Sequence, residues 1–156
     1  MSASTSRIVI IGGHGRVALL VAPLLVAGGH EVTSIIRDPA QADDVAATGA
    51  SPLVLSVEAA STEELTRALD GADAVVWSAG AGGKGGPERT DAVDRAAAIR
   101  SMEAAAVAGV RRYIMVSFLT AYGEVSVDHP LRAYAIAKIA ADRHLQTTDL
   151  DWTILG

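Results

Sequence analysis

A regular alternation of short β-branched segments with helical segments is the feature that most constrains how this chain can fold. The first predicted strand, Arg7–Ile11, reads RIVII, which is typical of a strand buried on both faces. The other predicted strands are Glu31–Ile36, Pro52–Val57, Ala74–Trp77, Arg112–Ser117 and Trp152–Leu155. The helical segments between them predict an α/β fold, a doubly wound parallel sheet of about six strands in a three-layer α/β/α arrangement.

The predicted helices cover about residues 16–27, 39–48, 62–69, 91–108 and 131–146. Before the third of them, Ser61 and Glu64 have the spacing of a capping box, in which each side chain bonds the other residue's backbone amide. On the first helix, an apolar stripe is expected to pack against the sheet. That stripe consists of Val17, Leu20, Leu24 and Leu25.

The composition predicts one soluble globular domain spanning residues 1–156. Half of the 156 residues are hydrophobic and 20% are charged, which provides enough apolar surface for one core. The formal net charge of −5 argues against a nucleic-acid partner. The longest near-apolar stretch, 17–29, contains Pro23 and is too short to span a bilayer, so no membrane partner is expected.

The lack of cysteine excludes disulfides and thiolate metal sites, and it favours a cytoplasmic location. The four histidines lack metal-ligand spacing, so no metal site is predicted. The chain ends just as the last predicted strand forms, which suggests a domain shortened at its C-terminus.

The glycine-rich segment 12–18, GGHGRVA, lies between the first predicted strand and the first predicted helix. Its small residues suit a tight turn and a close contact between helix and sheet, and the helix N-terminus behind it attracts phosphate. We therefore predict a dinucleotide-binding loop rather than an ordinary turn. The candidate cofactor-binding residues in this loop are Gly12, Gly13, His14, Gly15, Arg16 and Val17.

Arg37 directly follows the second predicted strand, at the position that distinguishes the two nicotinamide dinucleotides. An acidic residue there bonds the ribose 2′-hydroxyl of NAD, whereas an arginine accommodates the 2′-phosphate of NADP. Arg16 adds a second cation nearby, whereas the negative charge of Asp38 would repel a phosphate. The pattern favours NADP(H) as the cofactor, with NAD(H) as the alternative.

Tyr134 and Lys138 are four residues apart in a predicted helix, so their side chains share one face. A phenol with a pKa near 10 is a poor acid–base group at neutral pH. An ammonium about 4 Å away contributes about 4 kcal/mol at an effective dielectric constant of about 20, which would lower that pKa by roughly three units. We predict that Lys138 tunes Tyr134 in this way and bonds the nicotinamide ribose. A surface pair without chemistry is the alternative.

These motifs together resemble the atypical short-chain dehydrogenases/reductases, and more narrowly the NAD(P)H-binding proteins of the epimerase/dehydratase type. The motifs are Gly12-x-x-Gly15-x-x-Ala18, Arg37 and Tyr134-x-x-x-Lys138, and the resemblance covers the whole chain. It implies a Rossmann fold. It also implies catalytic roles for three residues: a substrate-orienting hydroxyl on Ser117, a proton donor in Tyr134 and its tuner in Lys138.

The resemblance implies further cofactor contacts outside the glycine loop. Ser78, Ala79 and Gly80 match the small-residue loop beneath the nicotinamide, and Ser56 and Val57 fall in the region where the family often has an adenine-reading aspartate. The better-known branch of the family also has a catalytic asparagine, and this sequence contains no asparagine.

The expected function is hydride transfer between NADP(H) and a small carbonyl or hydroxyl substrate. A non-catalytic NAD(P)(H)-binding redox sensor and a reductase for flavins or similar planar acceptors are the alternatives. The sequence determines neither the substrate nor the direction of the reaction. The apolar character of the predicted helix 91–108 is compatible with a homodimer.

Overall fold

Six parallel strands form one sheet in the computed structural model of the chain, which describes residues 4–81, 84–118 and 125–156. The strand order is β3-β2-β1-β4-β5-β6, so the first strand lies near the centre and the chain winds outward from it in both directions. The strands are β1 (Arg7–Ile11), β2 (Glu31–Ile36), β3 (Ser51–Val54), β4 (Ala74–Trp77), β5 (Arg112–Val116) and β6 (Asp151–Leu155). This order confirms the predicted doubly wound sheet.

The helices follow the strands in the predicted alternation, and the predicted capping box between Ser61 and Glu64 is present. They are α1 (Arg16–Ala27), a 3-10 turn (Pro39–Gln41) with α2 (Ala42–Ala46), α3 (Thr62–Leu69), α4 (Gly86–Thr90), a π-helical segment (Asp91–Ala97), α5 (Ala98–Val107) and α6 (Arg132–Gln146). Within the described ranges, no helix is both long and apolar enough to cross a membrane.

The core consists of two apolar clusters, one on each face of the sheet. Along β1, Val9 and Ile11 belong to the cluster under α3, α5 and α6, whereas Ile8 and Ile10 belong to the cluster under α1 and α2. Successive side chains of a strand point to opposite faces, so a continuous apolar strand must be covered on both sides. The two clusters therefore confirm the three-layer arrangement.

The packing stripe predicted for α1 is wrong for three of its four residues. Leu20 and Leu24 are 71% and 72% exposed, and Val17 is 43% exposed, whereas the buried residues of this helix are Ala18 and Ala22. Small side chains let the helix lie close to the sheet, so the face with the smallest residues is the one that packs. Leu25 is the one residue of the predicted stripe that packs against the core, where it is partly buried; the other three lie on the outer surface.

Two predicted element boundaries are also wrong. The third strand ends at Val54 rather than Val57, because the Ser56 carbonyl accepts the amides of Ala59 and Ala60 and turns the chain. The long helix after β4 begins at Gly86 rather than near residue 91, and it contains the π-helical segment that no sequence pattern indicated.

Gly12→Ala is expected to destabilise the protein more than Gly29→Ala. Both glycines have positive φ angles, 86° and 88°, so both substitutions impose the strain of a left-handed residue, about 1–2 kcal/mol. A Cβ at Gly12 would also lie 2.4 Å from the Cα of Ala79, whereas a Cβ at Gly29 meets nothing within 4 Å. Urea denaturation measures both losses in the free energy of unfolding. Equal losses would contradict the close approach of the loop to the segment after β4.

Candidate functional site

A cleft of about 860 Å³ lies at the carboxyl ends of the parallel strands, where open α/β sheets bind ligands. It is lined by the segments that follow β1, β2, β3, β4 and β5, together with the start of α6. The predicted site residues that line it are Gly12, Gly13, His14, Gly15, Arg16, Val17, Arg37, Ser56, Val57, Ser78, Ala79, Gly80, Ser117 and Tyr134. Lys138 alone of the predicted set is not among the lining residues.

A smaller cavity of about 420 Å³ lies at the opposite edge of the sheet. It is lined by the amino-terminal residues of β1 and β2, with Arg7 and Glu31 forming an ion pair across it. Because parallel sheets present their ligand sites at the carboxyl ends of the strands, the larger cleft is the candidate functional site.

The glycine loop between β1 and α1 lies directly against β2. Gly12 and Gly13 donate to the Ile35 carbonyl at 3.1 and 2.8 Å, and a Cβ on Gly13 would lie 2.4 Å from the Cβ of Ser34. Gly15 is the N-cap of α1, and no described side chain caps this helix end. The first amides of α1 are therefore available to an anion, such as a phosphate.

Arg37 follows β2, is exposed and lines the cleft. Among the described residues its guanidinium has no hydrogen bond or ion pair. The neighbouring Asp38 carboxylate accepts the Ala40 amide at 2.9 Å and so caps the 3-10 turn. In the glycine loop, His14 Nε2 lies 2.8 Å from Asp44 Oδ2 on α2. Arg37 is therefore free to bind a ligand, while both nearby acidic side chains already have partners.

Ser117 lies just beyond β5, and both of its hydrogen-bond donors are used within the protein. Its hydroxyl donates to Asp142 Oδ2 at 2.5 Å, and its amide donates to the Leu155 carbonyl at 2.7 Å. Ser117 lines the cleft, whereas Asp142 is fully buried on α6 behind it.

Lys138 is 1% exposed and points to the backbone of β5. Its ammonium donates to the Val116 carbonyl at 2.8 Å and to the Met115 sulfur at 3.2 Å. Burial lowers the pKa of Lys138, and the carboxylates of Asp142 and Asp94 partly oppose that shift. Lys138 therefore joins α6 to β5 instead of facing the cleft.

Tyr134 lies one helical turn before Lys138 and is half-buried in the wall of the cleft. Its ring packs edge-to-face on Phe118, with centroids 5.1 Å apart. Burial raises the pKa of Tyr134, and the carboxylates of Asp94 and Asp142 raise it further. The prediction that Lys138 lowers this pKa is therefore wrong for this structure, because desolvation and the two carboxylates dominate at the phenol.

Asp94 is a fully buried residue of the π-helical segment. Its Oδ2 accepts the Ala81 amide at 3.2 Å, and its Oδ1 has no hydrogen-bond partner among the described residues. Burial raises the pKa of Asp94, opposed by the Ala81 amide and by the cations of Lys138 and Arg89. The carboxyl groups of Asp94 and Asp142 and the ammonium of Lys138 thus form a buried cluster behind the wall of the cleft.

Sequence reasoning missed both carboxyl groups of this cluster. Asp142 could have been found, because it follows Lys138 by four residues and so shares the helix face of Lys138 and Tyr134. Asp94 carried no such signal, since a π-helical turn shifts side chains away from the positions that α-helical spacing predicts.

Comparison with known proteins supports a nicotinamide-dinucleotide cofactor for this chain. A model of the NAD(P)H-binding family matches residues 12–156. The uncharacterized sugar epimerase YhfK of Bacillus subtilis is 33% identical over 150 residues, covering 96% of this chain and 70% of YhfK.

Two solved structures share the fold. A Bacillus halodurans protein named as an NAD-dependent epimerase/dehydratase has a TM-score of 0.86 at 31% identity, covering 96% of this chain and 68% of that one. The Bordetella bronchiseptica enzyme WbmG, solved with NAD and UDP, has a TM-score of 0.80 at 26% identity, covering 97% of this chain and 52% of that one.

The chain therefore belongs to the NAD(P)H-binding family and is an NAD(P)-binding Rossmann protein like the short-chain dehydrogenases/reductases. The residues of the cleft fit a dinucleotide. The uncapped N-terminus of α1 and the lack of a side chain at Gly15 leave room for phosphates, and Arg37 is available beside β2.

Asp94→Asn is expected to raise the free energy of unfolding at neutral pH and to leave it unchanged in strong acid. The pKa of Asp94 is raised in the folded protein, so the stability linked to its proton is fully present below the unfolded pKa of about 3.9. That stability is lost as the pH rises through the folded value. Asparagine keeps an oxygen for the Ala81 amide. Urea denaturation at several pH values measures the effect.

Asp91→Asn is the matched control, three residues earlier in the same segment. The hydrogen bond with Arg95 lowers the pKa of Asp91, so this substitution should decrease stability at neutral pH. A loss of stability in Asp94→Asn as well would show that the attraction to Lys138 outweighs the burial of the carboxylate.

Proposed function

We propose that this protein is an NADP(H)-dependent oxidoreductase that transfers hydride between the cofactor and a small carbonyl or hydroxyl substrate. The observation that carries this proposal is that Tyr134 and Ser117 line the same cleft as the glycine loop and Arg37. One cleft thus combines a dinucleotide site with a phenol and a hydroxyl at the end of β5.

Tyr134 is the acid–base group of the proposed reaction, and the bound cofactor supplies or accepts the hydride. In reduction, the carbonyl carbon gains a hydride and the carbonyl oxygen takes the proton of Tyr134; oxidation reverses both transfers. The raised pKa keeps Tyr134 protonated at neutral pH, which suits a proton donor. Lys138 supports the reaction by position, since its bond to the Val116 carbonyl holds α6 against β5.

The preference for NADP(H) rests on Arg37. Its guanidinium is exposed in the cleft, whereas the carboxylate of Asp38 is occupied by the Ala40 amide. A charge-assisted bond from arginine to the 2′-phosphate contributes about 1.5–3 kcal/mol, or roughly ten- to a hundredfold in affinity.

Arg37→Ala should weaken NADPH binding about ten- to a hundredfold and leave NADH binding nearly unchanged, because NADH lacks the 2′-phosphate. Parallel calorimetric titrations with the two cofactors measure both affinities. Arg67→Ala is the control, since Arg67 is exposed on α3 and does not line the cleft. Equal weakening of NADPH and NADH in Arg37→Ala would remove the support for NADP(H).

A non-catalytic dinucleotide sensor is the second candidate, and the position of Lys138 is the observation that favours it. The ammonium is bound to the backbone of β5 and does not lower the pKa of Tyr134. The same cleft would then bind the cofactor and report its redox state without turning over a substrate.

Tyr134→Phe separates the two candidates. In the oxidoreductase, NADPH-dependent reduction of a small ketone or aldehyde found by screening should fall about 100- to 10,000-fold, while cofactor affinity is retained. Turnover is measured from cofactor absorbance and affinity by calorimetry. Ile136→Ala, an exposed position on the same helix, is the control. Full activity in Tyr134→Phe would exclude Tyr134 as the acid–base group.

A further inference from the structure

The hydroxyl of Ser117 has only one hydrogen, and it donates that hydrogen within the protein. Asp142 Oδ2 accepts that hydrogen at an oxygen–oxygen distance of 2.5 Å. The amide of Ser117 is bound to the Leu155 carbonyl. Ser117 therefore presents only oxygen lone pairs to the cleft.

Tyr134 has the opposite character on the same wall of the cleft. Its raised pKa keeps the phenol protonated, and among the described residues its hydroxyl has no hydrogen-bond partner, so it has a hydrogen to donate. A ligand oxygen that reaches both groups meets one donor, Tyr134, and one acceptor, Ser117. A hydroxyl group satisfies both, because it donates and accepts. A carbonyl oxygen satisfies only Tyr134 and faces the lone pairs of Ser117.

We propose that Asp142 is a positioning residue that makes Ser117 a hydrogen-bond acceptor, so that the cleft binds hydroxyl compounds in preference to the corresponding carbonyl compounds. The inference rests on the proposed function, and it states which oxidation state of the substrate, hydroxyl or carbonyl, the cleft binds more tightly. Asp142 is fully buried and does not line the cleft, so it affects the hydrogen bonding of a ligand oxygen through Ser117.

The place of Asp142 on α6 explains why this bond is well defined. Asp142 lies one turn after Lys138, and Lys138 holds the helix to the Val116 carbonyl at 2.8 Å. Residues four apart share one helix face, so the two side chains bind adjacent residues of the chain at the end of β5. The orientation of the Ser117 hydroxyl is therefore built into the packing of α6 on the sheet.

A pair of fragments that differ only in oxidation state tests the proposal without an identified substrate. Cyclohexanol and cyclohexanone are titrated into protein saturated with the tetrahydronicotinamide analogue of NADPH or NADH, which cannot transfer hydride. Amide chemical shifts give both dissociation constants. We expect cyclohexanol to bind about three- to tenfold more tightly than cyclohexanone, as one additional hydrogen bond would give.

The ratio of the two dissociation constants is then compared among variants. Asp142→Ala removes the acceptor and frees the hydrogen of Ser117, so the preference should fall to about one or reverse. In the Ser117→Ala background, Asp142→Ala should change the ratio no more than Asp94→Asn does, because the coupling through the serine is then absent. Asp142→Leu, whose side chain accepts no hydrogen bond, is a second variant in case the alanine variant does not fold.

Asp94→Asn is the electrostatic control. It removes a second buried carboxylate that acts on Tyr134 and Lys138, but Asp94 does not bond Ser117. The hydroxyl preference should therefore persist in this variant.

An unchanged ratio in folded Asp142 variants, a wild-type preference for cyclohexanone, or no binding of cyclohexanol to the cofactor-loaded protein would overturn the proposal. So would an Asp142→Ala effect that is undiminished in the Ser117→Ala background. These outcomes differ from failure of the proposed function itself, in which neither cofactor analogue binds to the folded protein.

Discussion

The hydrogen bond from the Lys138 ammonium to the Val116 carbonyl connects the last helix to the strand that forms one wall of the cleft. Burying an ammonium costs free energy unless partners compensate, and here a backbone carbonyl, a sulfur and two nearby carboxyl groups do so. With α6 held in this way, Tyr134 lies in the cleft and Asp142 lies behind Ser117. The geometry of the site thus depends on a charge that does not line the cleft.

The π-helical segment makes the second contribution to the site. Its Asp94 carboxylate holds the Ala81 amide, which belongs to the loop after β4, and its charge acts on both Tyr134 and Lys138. A regular α-helix through the same residues would direct a different side chain to this point. The π-helical segment therefore contacts the loop after β4 through Asp94 and acts electrostatically on Tyr134 in the wall of the cleft.

Much of the fold could be predicted from sequence because the β-branched strands and the turn residues carry strong local signals. The bounds of β1, β2 and β4 agree with the prediction, and so does the capping box at Ser61. The packing face of α1 could not be predicted from hydrophobicity, since the need for close approach favours Ala18 over Leu20. The residues that line the cleft could be predicted from sequence, because the loops at the carboxyl ends of parallel strands line such clefts. Their prediction followed from the positions of these loops. The direction of the Lys138 side chain did not, because helical spacing places it beside Tyr134 but not toward the cleft or the backbone of β5.

The strand order has a consequence for how the site is assembled. Every neighbouring pair in the sheet consists of strands that are consecutive in the chain except β1 and β4, where Ile8 pairs with Ala74. This pairing must close the longest loop in the sheet, which makes it the contact with the largest entropic cost. It is also the place where Gly12 meets Ala79 and where the Ser78 amide bonds the Ile11 carbonyl. The glycine loop therefore takes its final shape only when the two halves of the sheet join, and a ligand bound there would stabilise that junction.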